Sequence, residues 1–310
     1  MAAGRYAPSP TGRLHLGNLR TALLAWLHAR LSEIPFVLRI DDLDTPRNRQ
    51  GSLESILADL EWLGLDWDEG PGAEGPRGPY FQSQRQDLYE EAFQTLLSLD
   101  RIYPCVCSRK DITEALSAPQ GESGQGVYPG TCRPAGNRTR IDPHRPLAWR
   151  YRVEEGVVSY NDRVLGPTQQ NLARDCGDFV VRRKDGLFAY QLATVVDDGT
   201  MGISDVLRGE DLADSTPRQL ALMATLGYSA PDFWHVPLLH DAEGRRLAKR
   251  DGSDSVAAWI SSGRSAAELV GYFASGLGLT EQDQPLDCAQ LVTGLDLDAF
   301  KRALARVSRV

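Results

Sequence analysis

The sequence predicts an α/β fold on a parallel sheet, with an irregular insertion in its middle and a helical segment at its end. Three observations carry that prediction. Residues 5–40 read as strand, turn, helix, strand. Apolar strand-like runs return after residue 176, and the stretch between breaks into short segments holding three of the cysteines. Alternation of strands and helices is the pattern of a parallel sheet covered by helices.

Residues 5–7 form a short strand, and Pro8-Ser9-Pro10-Thr11-Gly12 turns the chain. Leu19, Ala22, Leu23, Trp26 and Leu27 then recur at helical spacing with Arg30 as the polar exception, which predicts an amphipathic helix. Residues 36–40 form a second buried strand that runs into Asp41-Asp42-Leu43-Asp44. Ligands of parallel α/β units bind beyond the carboxyl ends of the strands, so the Pro-rich turn and the acidic run both belong at that edge.

Helices are predicted around Leu53, Ile56, Leu57, Leu60 and Leu63 and around Leu88, Ala92, Leu96 and Leu99, with a Gly- and Pro-rich surface loop over 66–78 between them. After the insertion, strands are predicted at 178–183, 189–196 and 203–208, a helix over 216–226, and a strand-like run at 236–240. Beyond Asp251 the chain reads as helical, with Leu269, Val270, Phe273 and Leu277 on one face and a basic helix over 301–309. The resulting division is 1–102 and 176–250 for the two halves of the α/β domain, 103–175 for the insertion and 251–310 for the helical segment.

Composition narrows the class. With 310 residues, 42% hydrophobic and 25% charged, the chain is an ordinary globular protein of about two domains, neither disordered nor a disulfide scaffold. No apolar run approaches the roughly 18 residues of a membrane span, and the start lacks a signal-peptide pattern; a cytoplasmic protein with no membrane contact is expected. A net charge of −8 disfavours a broad phosphate-binding surface and leaves local basic patches, such as Lys301, Arg302, Arg306 and Arg309.

Three clusters carry chemistry. His15 and Gly17 open a helix after a strand: an imidazole can donate to phosphate, glycine permits close approach, and helix amides attract anions. In Arg246-Leu-Ala-Lys249-Arg250-Asp-Gly252, Lys249 is a compact charge able to follow a phosphate into its transition state. Cys105-x-Cys107 and Cys132 supply three soft metal ligands; His144 is the fourth that chemistry alone prefers, with Tyr128 as the alternative. Four protein ligands with no open position make a structural zinc site. Cys176 and Cys288 have no ligand-like neighbours and are assigned to the core.

The first two motifs, in this order, resemble the signature pair of class I aminoacyl-tRNA synthetases. The blocks Arg5-Tyr-Ala-Pro-Ser-Pro-Thr-Gly, Arg20-Thr-Ala-Leu, Leu38-Arg-Ile-Asp41-Asp-Leu-Asp44 and Tyr190-Gln-Leu-Ala-Thr-Val-Val-Asp-Asp sharpen the resemblance to the glutamyl group, over residues 5 to about 255. The length is similar to that of the short paralogue family, the glutamyl-queuosine tRNA(Asp) synthetases, so no anticodon-binding domain is expected. This resemblance implies a Rossmann-type catalytic domain, a zinc-bearing acceptor-type insertion and a helical stem-contact-like segment. It implies activation of L-glutamate with ATP without tRNA, then transfer to the queuosine base at the wobble position of tRNA(Asp).

By the same resemblance, Arg5 and Arg208 bind the glutamate carboxylates, Asp41 pairs with the ammonium, Ser9 and Tyr190 add hydroxyl hydrogen bonds and Ala7 lines the pocket. Which arginine takes which carboxylate stays open. His15, Gly17, Asn18 and Lys249 meet ATP, with Mg²⁺ on the pyrophosphate, and His15 and Lys249 are the catalytic pair. The resemblance selects Tyr128 to complete one structural zinc site with Cys105, Cys107 and Cys132, and a monomer is expected. The sequence departs from the family at Asn18 (usually His), Asp41 (Glu), Arg246 (Lys) and Ala248 (Ser). Two alternatives stay in view: a truncated synthetase charging the 3′ end of glutamate or glutamine tRNA, and a catalytically weak module binding tRNA or zinc.

Overall fold

The computed structural model describes residues 2–108, 110–112, 127–133, 146–239, 255–280 and 284–307. β1 (Gly4–Tyr6) leads into α1 (Leu16–Leu31), and β2 (Phe36–Leu38) returns parallel to β1. The helices α2 (Ser52–Leu63) and α3 (Gln86–Ser98) follow, then β3 (Ile102–Cys105), β4 (Ala148–Tyr151), the hairpin β5 (Val157–Asp162) and β6 (Gly166–Asn171), and the single-turn α4 (Leu172–Asp175). Next come β7 (Phe179–Arg182), α5 (Tyr190–Thr200), β8 (Asp205–Gly209), α6 (Thr216–Leu226) and β9 (Asp232–Val236). Four helices end the described chain: α7 (Val256–Ser261), α8 (Ala266–Gly276), α9 (Cys288–Thr293) and α10 (Leu297–Val307).

Four strands form the parallel sheet in the order β2-β1-β8-β9, so the first and second halves of the chain meet at β1 and β8. A second sheet, β3-β4-β7, is antiparallel, and β5-β6 is a separate hairpin. Residues 178–183 were expected to resume the main sheet; β7 instead pairs with β4.

The run 189–196 is helix, not strand. Leu192 through Val196, with Asp197 and Asp198, are all buried in α5, which packs between α3 and α6. A helix enclosed on most sides loses its polar stripe and reads, residue by residue, like a buried strand. The same physics overturns the amphipathic reading of α1, in which Leu16, Leu19, Arg20 and every residue from Ala22 to Ala29 are buried. This helix lies between the parallel sheet and the C-terminal α9 and α10. Arg30 emerges at its end, over the Trp26 ring and ion-paired with Asp66 and Asp68.

Other boundaries shift for local reasons. β9 stops at Val236 because Pro237 has no N–H to extend the ladder. The loop over 66–78 is anchored more than a surface loop needs to be: Leu38 N–H donates to the Glu69 carbonyl, and the buried Glu69 carboxylate accepts from the Tyr80 hydroxyl and pairs with Arg77. Leu269, Val270, Phe273 and Leu277 are buried together as expected, and the Cys288 thiol sits 3.2 Å from the Leu63 carbonyl. Cys176 is half-buried against the core of α3, α5 and the antiparallel sheet.

Candidate functional site

A cavity of about 320 Å³ opens at the carboxyl ends of β1 and β8, beside the first turn of α1. The six residues assigned to glutamate, Arg5, Ala7, Ser9, Asp41, Tyr190 and Arg208, all line it. So do His15, Gly17 and Asn18 of the nucleotide set. Lys249, Arg246 and Ala248 lie outside the described residues. The chain on either side of 240–254 nevertheless meets this site: Leu239 lines the cavity, and Ser255 is bridged to His15.

His15 is the N-cap of α1, and its Nδ1 accepts the Asn18 N–H at 3.2 Å. An accepting Nδ1 puts the proton of the neutral ring on Nε2, the nitrogen left to act as donor. A Cβ on Gly17 would lie 3.2–3.3 Å from the His15 ring, so this glycine makes room first for the imidazole itself.

Beneath the cavity lies a fully buried ionic block. Arg39 bonds to Asp41 and Asp198 at 2.7 Å each and lies 3.5 Å from Asp197. Arg5 grips Asp198 with two bonds, at 3.2 and 3.0 Å. Asp197 also accepts from Arg85 at 2.6 Å, Gln82 at 2.8 Å and the Tyr89 hydroxyl at 2.9 Å. Three guanidiniums thus balance three carboxylates, the condition under which buried charge is tolerated.

Their protonation differs by environment. Burial alone would raise Asp198, but the charges of Arg5 and Arg39 outweigh it and bring the carboxyl down to about 2. At Asp41 burial wins over the single close guanidinium of Arg39, and the carboxyl is pushed up to about 6. Of the acidic run, Asp41 alone lines the cavity; Asp42 is held by Ser83, at 2.7 Å from its N–H and 2.6 Å from its hydroxyl, and Asp44 pairs with Arg183 at 3.0 Å.

Arg208 is the contrast. It is buried, yet among the described residues no carboxylate lies within ion-pair distance. Its Nε donates to His235 Nε2 at 3.0 Å and its Nη2 to Thr216 at 2.8 Å and Gln219 at 2.9 Å; Nη1 reaches the Tyr190 hydroxyl at 3.5 Å. Burial lowers its pKa, the mark of a cation held by neutral groups.

The residues that brace the pocket were missed in the sequence. Asp197 and Asp198 lay inside a motif already singled out, but a strand reading of that segment hid their shared side with Arg5 and Arg39. Arg39 was itself a signal: an arginine inside Phe-Val-Leu-Arg-Ile is buried only with partners.

Outside this cavity, Cys105 at the end of β3 joins Cys107 and Cys132 in a cluster whose sulfurs lie within 4.8 Å of one another. The Tyr128 hydroxyl is 3.4 Å from Cys105 Sγ and 3.7 Å from Cys107 Sγ, and Cys107 and Cys132 are 3.5 Å apart. Ligands about 2.3 Å from a tetrahedral zinc stand roughly 3.8 Å from each other, so these four groups fit such an ion. Arg150 covers the set: its Nε lies 3.4 Å from Cys105 Sγ and its guanidinium stacks 3.8 Å above the Tyr128 ring. His144 lies outside the described residues. No helix among the described residues is long and apolar enough to cross a membrane.

The family model for class I tRNA synthetases (E and Q), catalytic domain, matches residues 2–283. The Glutamyl-Q tRNA(Asp) synthetase of Symbiobacterium thermophilum is 46% identical over 99% of this chain and 96% of its own length. That of Deinococcus radiodurans is 48% identical over 88% of each. The crystal structure of glutamate-tRNA synthetase from Elizabethkingia anophelis superposes with a TM-score of 0.83 at 29% identity, covering 96% of this chain; this chain spans 66% of that one.

Proposed function

The chain belongs to the class I tRNA synthetases for glutamate and glutamine, and from that premise we propose that it activates L-glutamate with ATP, without tRNA, and transfers it to the queuosine base of tRNA(Asp). The observation that carries the glutamate part is the meeting, in one cavity, of a guanidinium at Arg208 with no carboxylate partner among the described residues, a carboxylate at Asp41 and a histidine-capped helix N-terminus. The acceptor part rests on relatives named Glutamyl-Q tRNA(Asp) synthetase that match nearly end to end.

Arg5 is committed to Asp198, whereas Arg208 has no anionic partner among the described residues, so Arg208 with the Tyr190 hydroxyl takes the glutamate side-chain carboxylate. Asp41 pairs with the ammonium, its carboxylate fixed from beneath by Arg39 at 2.7 Å. Arg5, Ala7 and Ser9 line the same cavity and complete the contacts. The α-carboxylate then faces His15. One of its oxygens attacks the α-phosphorus of ATP, the bond to the β-phosphate breaks, and pyrophosphate leaves. His15 Nε2–H and Lys249 stabilise the phosphate oxygens as charge develops, and Gly17 and Asn18 line the nucleotide; Mg²⁺, when bound with ATP, would supply further charge neutralisation on the phosphates. A hydroxyl of the queuosine diol then attacks the activated carbonyl and AMP departs.

We assign the sulfur cluster, with Tyr128 as fourth ligand, to a zinc ion that fixes the insertion and takes no part in the chemistry.

Glutamate-dependent ATP–pyrophosphate exchange by the purified protein, with and without tRNA, is the test, followed by transfer of labelled glutamate to queuosine-containing tRNA(Asp). Exchange without tRNA and labelling of that acceptor alone are the expected results. Exchange only with glutamate tRNA would transfer the reading to a truncated synthetase, and no exchange at all to a binding module.

A further inference from the structure

We infer that Asp162 and His235 form a positioning pair that fixes the way Arg208 is presented to the pocket; the inference rests on the assignment of Arg208 to the glutamate side chain. Neither residue lines the cavity. Asp162 ends β5, in the hairpin, and His235 sits on β9, the edge strand beside β8.

Asp162 is locked from one side. Its Oδ1 accepts backbone N–H groups from Val164 and Leu165 at 2.9 Å each and from His235 at 3.3 Å, which leaves Oδ2 against His235 Nδ1 at 2.5 Å. Across the ring, His235 Nε2 faces Arg208 Nε at 3.0 Å and the Thr216 hydroxyl at 3.2 Å. A guanidinium has donors only, so Nε2 must present its lone pair and the ring proton must sit on Nδ1, pointing at Asp162. A second ring proton would set N–H against N–H. The ring therefore works in one neutral tautomer, and the carboxylate specifies which. It is also held flat: Phe233 stacks on it at 5.9 Å with the planes 5° apart, and the same phenyl lies under the Arg208 guanidinium at 5.3 Å.

The arrangement solves a chemical problem. A carboxylate in direct contact with Arg208 would orient it and cancel its charge, as Asp198 does for Arg5. An imidazole placed between keeps the orientation and leaves the positive charge for the ligand. With Nε, and Nη2 through Thr216 and Gln219, tied to neutral acceptors, Nη1 is the edge that meets Tyr190 and the cavity.

Asp162→Asn tests this with little change of shape. The amide keeps an oxygen for the Val164 and Leu165 N–H groups but turns an N–H toward His235 Nδ1. That forces the proton onto Nε2 and against Arg208. The expected result in tRNA-independent exchange is a KM for glutamate raised about tenfold, with kcat and the KM for ATP within twofold. In a His235→Gln background, the side-chain amide oxygen accepts from Arg208 whatever stands at 162, so there Asp162→Asn should raise the glutamate KM by less than about twofold. An unchanged glutamate KM in Asp162→Asn, an equal rise in both KM values, or the same loss in the His235→Gln background would overturn the pairing.

A second readout does not depend on activity. Nitrogen-15 NMR of the ring nitrogens, with the signal assigned by its loss in His235→Gln, should show the Nδ1–H tautomer in the wild type and the Nε2–H tautomer in Asp162→Asn. An Nε2–H tautomer in the wild type overturns the inference outright. Absence of any glutamate-dependent exchange beside the expected tautomers would instead strike the assignment of Arg208 to glutamate and leave the pair standing.

Discussion

The cavity at the sheet edge and the sulfur cluster in the insertion hold their side chains by opposite means. The cavity draws on residues as distant as Arg5, Asp41, Tyr190 and Arg208, and its residues are braced by protein: Arg39, Arg85, Asp197 and Asp198 lie underneath with every charge answered. The cluster draws on two short segments, 105–107 and 128–132, and its groups meet through weak sulfur contacts of 3.4–3.7 Å and one 2.9 Å bond from the Cys132 N–H to the Tyr128 hydroxyl. The first site is built before any ligand arrives. The second has the donors for an ion, and with the proposed zinc bound its rigidity would belong to the ion as much as to the fold.

That contrast can be broken first at Arg39. Arg39→Met leaves three buried carboxylates to two guanidiniums, with Asp41 deprived of its ion-pair partner, and should cost about 3–5 kcal/mol of stability, read as a shift of the denaturation midpoint at unchanged slope. A loss below about 1 kcal/mol would mean that water or the neighbouring arginines already balance the block. Lys249→Ala should lower adenylate formation about 10²- to 10³-fold while glutamate binding stays within twofold, because the lysine is asked to act only on developing charge. Equal rates for the variant and wild type would remove that role.

Cys107→Ser should release the metal, detected as zinc per chain, and lower Tm by a few degrees, while the glutamate KM stays within twofold. A large rise in that KM would show that the two sites are not independent. The smallest effect is a pH dependence. Because Asp41 titrates near 6 rather than in the usual carboxylate range, it still holds its proton just below pH 6, where it cannot pair with an ammonium. The kcat/KM for glutamate should therefore fall about tenfold per pH unit below that value, and Asp41→Asn should flatten the profile at the low level. Asp198, brought down to about 2, stabilises the fold above the ordinary aspartate range and loses that contribution only as pH drops through 2.

What was legible from the residues follows from the same contrast. The three sulfurs of the cluster could be read from spacing, since they are local and few residue types bind soft metals, whereas Tyr128 was selected only by the family resemblance. Part of the cavity's edge was legible from chain punctuation such as Pro8-Ser9-Pro10 and the His15 cap, which mark the turn after a strand, but Arg5, Tyr190 and Arg208 were assigned to it only through the family resemblance. Its bracing was not. Asp197 pairs with Arg85 across 112 positions and Asp198 with Arg5 across 193, and no periodicity encodes such distances. The misread helix failed for a related reason: α5 is enclosed, so tertiary packing erased the polar stripe that would have declared it, whereas α1, enclosed as well, was still legible as a helix and lost only its expected polar face. The hairpin carrying Asp162 was unreadable as part of the site because its contribution passes through another side chain.

The passage from β7 into α5 joins what the two sites keep apart. β7 belongs to the sheet that carries Cys105, and a short turn after Arg182 delivers the chain to Tyr190, from which α5 runs down to Asp197 and Asp198. One uninterrupted stretch of backbone thus serves as the last strand of the sulfur-bearing sheet and as the floor of the cavity. The insertion is in this sense a handle fixed to the pocket's base: a displacement of its sheet would be carried to the helix whose first residue stands at the cavity mouth.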